Sequence, residues 1–174
     1  MDKKLTSNRI CVYLAEGECE EKLLNALKQK PAQIAPGRVK KFNVVQNELK
    51  ASHLMSFPSG SNVVLVFDTD VEETECLKKN IELLKSQFGK VEIITIPQYL
   101  NFEQEIERCT DVAKAQDLTK SSNVSDFKKA VNRMKEADFR SLLKRHKLDK
   151  TRLWIKNPPE AFSFVKQQSD RIKL

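Results

Sequence analysis

A continuous apolar run that ends in two carboxylates is the feature that most constrains this chain. Residues 63–67 are all apolar, and Asp68, Thr69 and Asp70 follow them directly. An unbroken apolar run of this length is typical of a strand that is buried on both faces, as in a parallel sheet. Because residues i and i+2 of an extended chain point to the same side, Asp68 and Asp70 could converge on one point. Two carboxylates that close repel each other unless a proton or a cation lies between them, and Mg²⁺ is the cation that we expect.

The first 110 residues alternate between strand-like and helix-like segments. We predict strands at 9–15, 39–45, 63–68 and 91–96, and helices at 18–30, 47–55, 72–88 and 102–109. Pro31 should end the first helix and Pro97 the fourth strand. This order predicts an α/β fold with a mainly parallel four-stranded sheet flanked by helices. Ligands of such sheets bind at the carboxyl ends of the strands, where Glu16, the Asp68/Asp70 pair and the loop after residue 96 should meet.

Residues 111–174 have a different character, and we interpret them as a helical C-terminal extension packed on a core formed by residues 1–110. Helices are predicted at 124–134, 137–146 and 160–169. The chain is basic, with a formal net charge of +7, and Lys and Arg crowd residues 128–156. This composition favours a polyanionic partner such as DNA or RNA.

Two acidic motifs together resemble a known family. Glu16-Gly17 stands at the first strand-to-helix turn, and Asp68-x-Asp70 ends a later strand. This combination resembles the TOPRIM domain of topoisomerases, bacterial primases, recombination-repair proteins and OLD-family nucleases. The form Glu-Gly-x-x-Glu, ending at Glu20, is most similar to the small OLD-type nucleases. The resemblance covers roughly residues 8–110 and implies a TOPRIM-like variant of the Rossmann-like fold.

The resemblance also implies roles for individual residues. Glu16 would act as a general acid/base or metal ligand, and Asp68 and Asp70 would bind Mg²⁺ or Mn²⁺, so these three are the candidate catalytic residues. Gly17 would allow a tight turn close to a phosphate, and Glu20 would be an auxiliary acidic residue. Glu20 is equally well explained as an acidic residue favoured by the dipole at the start of a helix.

A third acidic cluster follows the fourth predicted strand. Some small TOPRIM-like proteins carry an Asn-Phe-Glu element at this place, and Asn101, Phe102 and Glu103 match it. We therefore predict Glu103 as an additional metal ligand and Glu105 as a less favoured auxiliary residue. Asn101 is also explained as the N-cap of the next helix.

Arg152 and Lys156 are the candidates for contacts with the nucleic-acid backbone. They flank Trp154, which could stack on a base. A single Trp between Leu153 and Ile155 is more often a core residue, and we expect Trp154 to be buried.

The function that these patterns favour is a metal-dependent TOPRIM-like nuclease that hydrolyses phosphodiesters in DNA or RNA. A non-catalytic TOPRIM-like module that binds nucleic acid or protein is the main alternative. A phosphohydrolase of the haloacid-dehalogenase type is less favoured, because its Asp-x-Asp normally lies near the start of the domain. The chain lacks the G-x-x-x-x-G-K-[ST] motif, so an ATPase that accompanies OLD-type domains would be a partner protein.

The four cysteines predict neither a disulfide framework nor a zinc site. They stand at positions 11, 19, 76 and 109, and no pair has the spacing of a metal or redox motif. No export signal and no apolar stretch of spanning length is visible. We therefore expect a cytoplasmic protein with free thiols and no membrane partner.

Overall fold

The computed structural model describes residues 10–87 and 92–174, which form a four-stranded sheet flanked by helices. The strands are β1 (Cys11–Ala15), β2 (Gly37–Lys41), β3 (Asn62–Asp68) and β4 (Ile93–Gln98). They lie in the order β2-β1-β3-β4, and every neighbouring pair is parallel. The prediction of an α/β fold with a parallel four-stranded sheet is therefore confirmed, and the topology is of the Rossmann-like kind.

Six α-helices accompany the sheet in the described residues. They are α1 (Glu18–Lys28), α2 (Ala51–Leu54), α3 (Glu75–Gln87), α4 (Phe102–Cys109), α5 (Val124–Arg133) and α6 (Glu136–Arg145). Short 3₁₀ turns are found at Ala115–Thr119, Glu160–Phe162 and Ser169–Arg171. Among the helices of residues 10–87 and 92–174, none is long and apolar enough to cross a membrane.

Alternation along the central strands divides the core into two layers. Tyr13, Val64 and Val66 pack on one side of the sheet with α1, α4, α5 and α6. Leu65 and Phe67 pack on the other side with α2 and α3. Successive strand residues point to opposite faces, so a central strand with helices on both sides is apolar throughout. The helices of the extension thus share a core with the first face of the sheet.

Predicted boundaries of the second and fourth strands were wrong, and β2 begins at Gly37 rather than at residue 39. The second strand ends at Lys41 rather than at residue 45, because the Asn43 side chain accepts hydrogen bonds from the N–H groups of Val45 and Gln46 and turns the chain. The fourth strand continues through Pro97 to Gln98. β4 is an edge strand, where proline is tolerated because the outer backbone needs no ladder partner. The predicted ends at residues 9, 88 and 91 lie outside the described residues.

The predicted final helix at 160–169 is also wrong. The segment forms two 3₁₀ turns, and the chain between them runs along the open edge of β4. Gln168 N–H donates to the Thr95 carbonyl at 3.1 Å, and the Gln168 side-chain oxygen accepts from Thr95 N–H at 3.0 Å. These bonds satisfy the free backbone groups of an edge strand, which a helix could not do.

Candidate acidic site at the carboxyl edge of the sheet

Glu16 joins the ends of β1, β2 and β3. It directly follows β1, and its two carboxylate oxygens accept hydrogen bonds from Asp68 N–H at 2.8 Å and from the Asn43 side-chain amide at 2.9 Å. Burial raises the pKa of Glu16, and the two hydrogen bonds act in the opposite direction. Glu16 therefore holds the backbone of Asp68 in place at the center of the sheet edge.

Asp68 has the most strongly raised pKa of the carboxyl groups at this edge. It is the last residue of β3 and is mostly buried, and its Oδ1 has no hydrogen-bond partner within the described residues. Burial first, and then the charges of Glu20 and Glu16, raise the pKa of Asp68 to about 9. Asp70 is exposed, and its charge contributes to the raised pKa of both Asp68 and Glu16.

Glu20 lies in the first turn of α1 and points back toward the same edge. It is 5 % exposed, and burial together with the charge of Glu16 raises its pKa to about 7. Gly17 precedes the helix with φ of −135°, an extended conformation that any residue adopts. A Cβ atom at Gly17 would lie only 2.8 Å from a carboxylate oxygen of Glu20. The glycine therefore makes room for the Glu20 carboxylate, and the turn does not demand it.

Glu103 reaches the edge because β3 and the loop after β4 are tied together. Thr69 is buried, and its hydroxyl donates to the Gln98 carbonyl at 2.8 Å and accepts from Leu100 N–H at 3.0 Å. Asn101 then caps α4 by accepting a hydrogen bond from the third residue along, as the sequence predicts. Glu103, in the first turn of α4, is 7 % exposed and adds to the raised pKa of Asp68.

Lys128 brings a cation from the extension to this acidic edge. Its ammonium lies 2.8 Å from a carboxylate oxygen of Glu103, and its side chain is about half exposed. Its charge also lowers the pKa of Glu20, against the burial that raises it. The local sequence around Lys128 does not indicate that it pairs with Glu103, because Lys128 lies on α5, 25 residues further along the chain. It is a site residue that the sequence reasoning missed.

Gln98 is a second residue that was missed. Its Cα is the register partner of Asp68, so the two side chains leave the sheet on the same face. Gln98 is fully buried, and neither polar atom of its side-chain amide has a hydrogen-bond partner within the described residues. Buried amide groups without a partner are rare, since each costs roughly 1–3 kcal/mol. Gln98 was missed because the strand was predicted to end before Pro97, so no strand residue was expected beside Asp68.

An acidic cluster at this edge consists of Asp68 and the four carboxylates whose charges raise its pKa. Its five carboxylates belong to Glu16, Glu20, Asp68, Asp70 and Glu103. A cleft of about 320 Å³ opens beside Glu20, between the start of α1 and α5, and Lys41 and Lys128 are among the residues that line it. Within residues 10–87 and 92–174, however, no three His, Cys, Asp or Glu side chains are positioned to hold a metal ion.

Three other predicted residues lie elsewhere. Glu105 is fully buried, and its carboxylate pairs with Arg108 and accepts a hydrogen bond from the backbone N–H of Trp154 at 3.0 Å. These contacts give Glu105 a structural role. Arg152 and Lys156 are exposed on either side of Trp154, which is 1 % exposed and belongs to the core as expected. In the described part of the chain, no ion pair joins Arg152 or Lys156 to the five carboxylates.

The cysteines contribute no reactive group to the site. All four are free thiols. Cys19 lies at the start of α1 beside the cleft, but burial and the charge of Glu20 raise its pKa to about 12. A thiol with so high a pKa is not a nucleophile near neutral pH.

A scan against protein-family models and searches of curated proteins and of solved structures found no match to this chain. The class that the structure defines is therefore an α/β protein with an all-parallel, Rossmann-like sheet and an acidic cluster at its carboxyl edge. The resemblance to TOPRIM domains stays a prediction from the motifs.

Proposed function

We propose that this chain is a metal-dependent, TOPRIM-like nuclease whose acidic edge binds Mg²⁺ or Mn²⁺. The observation that carries the proposal is the environment of Asp68. Its carboxyl group is mostly buried, the charges of four other carboxylates act on it, and its Oδ1 has no hydrogen-bond partner in the described residues. A divalent cation at this position would bind that oxygen as a ligand and would offset the repulsion among the carboxylates.

The donor types at this edge suit a hard divalent cation, and the side chains would have to move closer together to hold one, because no three of them are positioned to do so within the described residues. Such ions prefer carboxylate and amide oxygens, and the edge offers both in Asp68, Asp70, Glu20 and the unpartnered Gln98 amide. Asp68 and Asp70 would hold the cation, with Glu20 as an additional ligand. When bound, the cation would stabilise charge on the reacting phosphate oxygens and lower the pKa of a coordinated water.

The remaining site residues would position the substrate and the ligands. Glu16 uses both oxygens to hold Asp68 and Asn43, so its role in this arrangement is to fix the ends of three strands. Lys41 and Lys128 line the cleft next to Glu20 and pair with Glu18 and Glu103, so each ammonium would exchange its carboxylate partner for a phosphate of the nucleic-acid backbone.

A non-catalytic binding module is the second candidate, and two observations favour it. Lys128 already neutralises Glu103, and no three potential ligands of the described residues converge on one point. A phosphohydrolase that uses Asp68 as its nucleophile is less well supported. In the haloacid-dehalogenase family the Asp-x-Asp normally lies near the start of the domain, whereas Asp68 ends β3, the third strand along the chain.

Calorimetric titration with Mn²⁺ tests the metal site, and cleavage of labelled DNA and RNA with Mg²⁺ or Mn²⁺ tests the activity. We expect the wild-type chain to bind Mn²⁺ and to cut at least one substrate, and Asp68→Asn to lose both properties. Asp170→Asn is the matched control, because that side chain is 94 % exposed and lies outside the acidic edge. Binding of Mn²⁺ without cleavage of any substrate would favour the non-catalytic module, and no Mn²⁺ binding would refute the metal site.

A further inference from the structure

Positive charge is concentrated in one part of the chain. Residues 128–156 contain eleven Lys and Arg against three Asp and Glu, a formal charge of +8, so the remainder of the chain sums to −1. The α/β core therefore carries almost no net charge, and the extension carries all of the excess. A polyanion that approaches this protein will be attracted to the face that the extension covers.

A groove on that face collects three of these cationic groups together with Lys30 of the core. It has a volume of about 490 Å³ and lies where α1 and the loop after it meet α6. Its cations are Lys30, Arg140, Lys144 and Lys147, and no Asp or Glu side chain of the described residues lines it. A groove with this lining is selective for negatively charged groups.

The cations of the groove are largely uncompensated. Within residues 10–87 and 92–174, Lys30, Arg140 and Lys144 form no ion pair, and Lys147 has only a contact of 3.6 Å with Asp111. The carboxyl ends of α1 and α6 lie near the groove, and each contributes about half a negative charge. Two helix ends therefore offset only about one of the four positive charges.

One of the four cations is held rigidly. The Arg140 guanidinium donates to the carbonyls of Lys30 and Pro31 at 3.0 Å and 2.6 Å, so it is fixed in the wall of the groove. Neutral carbonyls orient this group but leave its charge unneutralised. A fixed guanidinium loses little conformational entropy when it binds a phosphate.

We propose that this α1–α6 groove binds the phosphate backbone of the nucleic acid. The choice of nucleic acid over another polyanion rests on the nuclease function proposed above. α1 connects the two sites, because Glu20 lies in its first turn and the groove borders its last turn. A helix of this length spans roughly 15 Å, which corresponds to about four or five phosphates along one strand of a duplex. One bound strand can therefore occupy the groove and reach the acidic edge.

Fluorescence anisotropy of labelled single-stranded and duplex oligonucleotides tests this groove, with the full chain in EDTA so that no cleavage occurs. The groove variant carries Lys30→Gln, Lys144→Gln and Lys147→Gln and leaves Arg140 intact. The control variant carries Lys78→Gln, Lys79→Gln and Lys85→Gln on α3, which packs on the opposite face of the sheet. Both variants lose three positive charges, so a difference between them reports position and not net charge.

We expect the groove variant to bind about tenfold more weakly at roughly 0.1 M salt and to show a salt dependence reduced by about two phosphate contacts. The control should change by less than twofold. Equal losses in the two variants, or no binding by the wild type, would overturn the groove. Displacement of the oligonucleotide by polyglutamate at equal charge concentration would also overturn it, since the groove would then bind acidic protein equally well.

The same variants separate this proposal from the nuclease proposal. The groove variant should retain the Mn²⁺ affinity of the wild type. Its three substitutions lie around the carboxyl end of α1, whereas Glu20 lies in the first turn of that helix. If the groove variant binds nucleic acid more weakly but the wild type binds no Mn²⁺, the groove proposal is supported and the nuclease proposal is refuted. If the wild type shows metal-dependent cleavage but the groove variant binds nucleic acid as well as the wild type does, the nuclease proposal is supported and the groove proposal is refuted.

Discussion

Replacing Asp68 by Asn should stabilise the metal-free chain near neutral pH. Asp68 is mostly buried, and its Oδ1 forms no hydrogen bond within the described residues. Its pKa is raised to about 9 by burial and by the charges of Glu20 and Glu16. Asn has nearly the same shape and is neutral at every pH, so the substitution removes the cost of keeping Asp68 protonated near neutral pH and breaks no hydrogen bond of that oxygen.

The sign of the effect follows from the two pKa values of Asp68, 3.8 in the unfolded chain and about 9 in the folded one. Below pH 4 both states hold the proton, and Asp68 costs no stability. Above that pH the unfolded state loses its proton while the folded state keeps it, so the free energy of unfolding falls by about 1.36 kcal/mol per pH unit. The cost reaches about 4 kcal/mol at pH 7 and stops growing above pH 9.

Urea denaturation at pH 5 and pH 7 in EDTA measures this effect. The stability advantage of Asp68→Asn over the wild type should grow by up to about 3 kcal/mol between these two pH values. Asp170→Asn should show no such growth, because its side chain is 94 % exposed. Added Mn²⁺ should then stabilise the wild type and leave Asp68→Asn unchanged. An advantage that is independent of pH, or a variant that is less stable than the wild type at pH 7, would refute the reasoning from burial.

Two further substitutions probe the same edge, and a third probes the structural role of Glu105. Lys128→Met should raise the Mn²⁺ affinity severalfold in a calorimetric titration, because it removes a competing cation. The neighbouring Lys129→Met should leave the Mn²⁺ affinity unchanged. A weaker affinity in Lys128→Met would show that Lys128 assists metal binding. Glu105→Ala should lower the free energy of unfolding in urea by about 2–3 kcal/mol, since it removes a fully buried carboxylate and leaves the Arg108 guanidinium, whose side chain is 17 % exposed, without its ion-pair partner; a loss below 1 kcal/mol would contradict the structural role. Gly17→Ala should weaken Mn²⁺ binding with little change in thermal stability, because the new Cβ displaces the flexible end of Glu20; unchanged binding would exclude Glu20 as a ligand.

The central part of the fold could be predicted because it depends on local patterns. The apolar run at 63–67 predicted a buried strand, and the order of strands and helices predicted the parallel sheet. The same reasoning placed Glu16, Asp68 and Asp70 at one edge, since the carboxyl ends of parallel strands share that edge. The structure brings these three residues together.

Residues that enter the site through tertiary packing could not be predicted in this way. Asn43 was assigned to a strand, whereas its side chain ends the strand and then holds Glu16. Lys128 reaches Glu103 only because α5 packs against α4, a contact that no sequence spacing specifies. Gln98 was hidden because a proline was taken as the end of its strand. An edge strand tolerates proline, and whether a strand lies at the edge is a property of the whole sheet.

α4 connects the acidic edge to the extension through two glutamates of opposite orientation. Glu103 and Glu105 are two residues apart, which places them about 200° apart around a helix. Glu103 faces the edge and pairs with Lys128 of α5. Glu105 faces away and accepts a hydrogen bond from the backbone N–H of Trp154. Both partners belong to the extension, so the extension supplies a cation to the site and fixes the helix that carries one of its carboxylates. Without residues 111–174, Glu105 would keep Arg108 as its partner within α4 and lose the hydrogen bond from the backbone N–H of Trp154, whereas Glu103 would lose the one ion pair that it forms in the described residues. Because a buried carboxylate without a partner is strongly disfavoured, the position of Glu103 at the acidic edge depends on the extension.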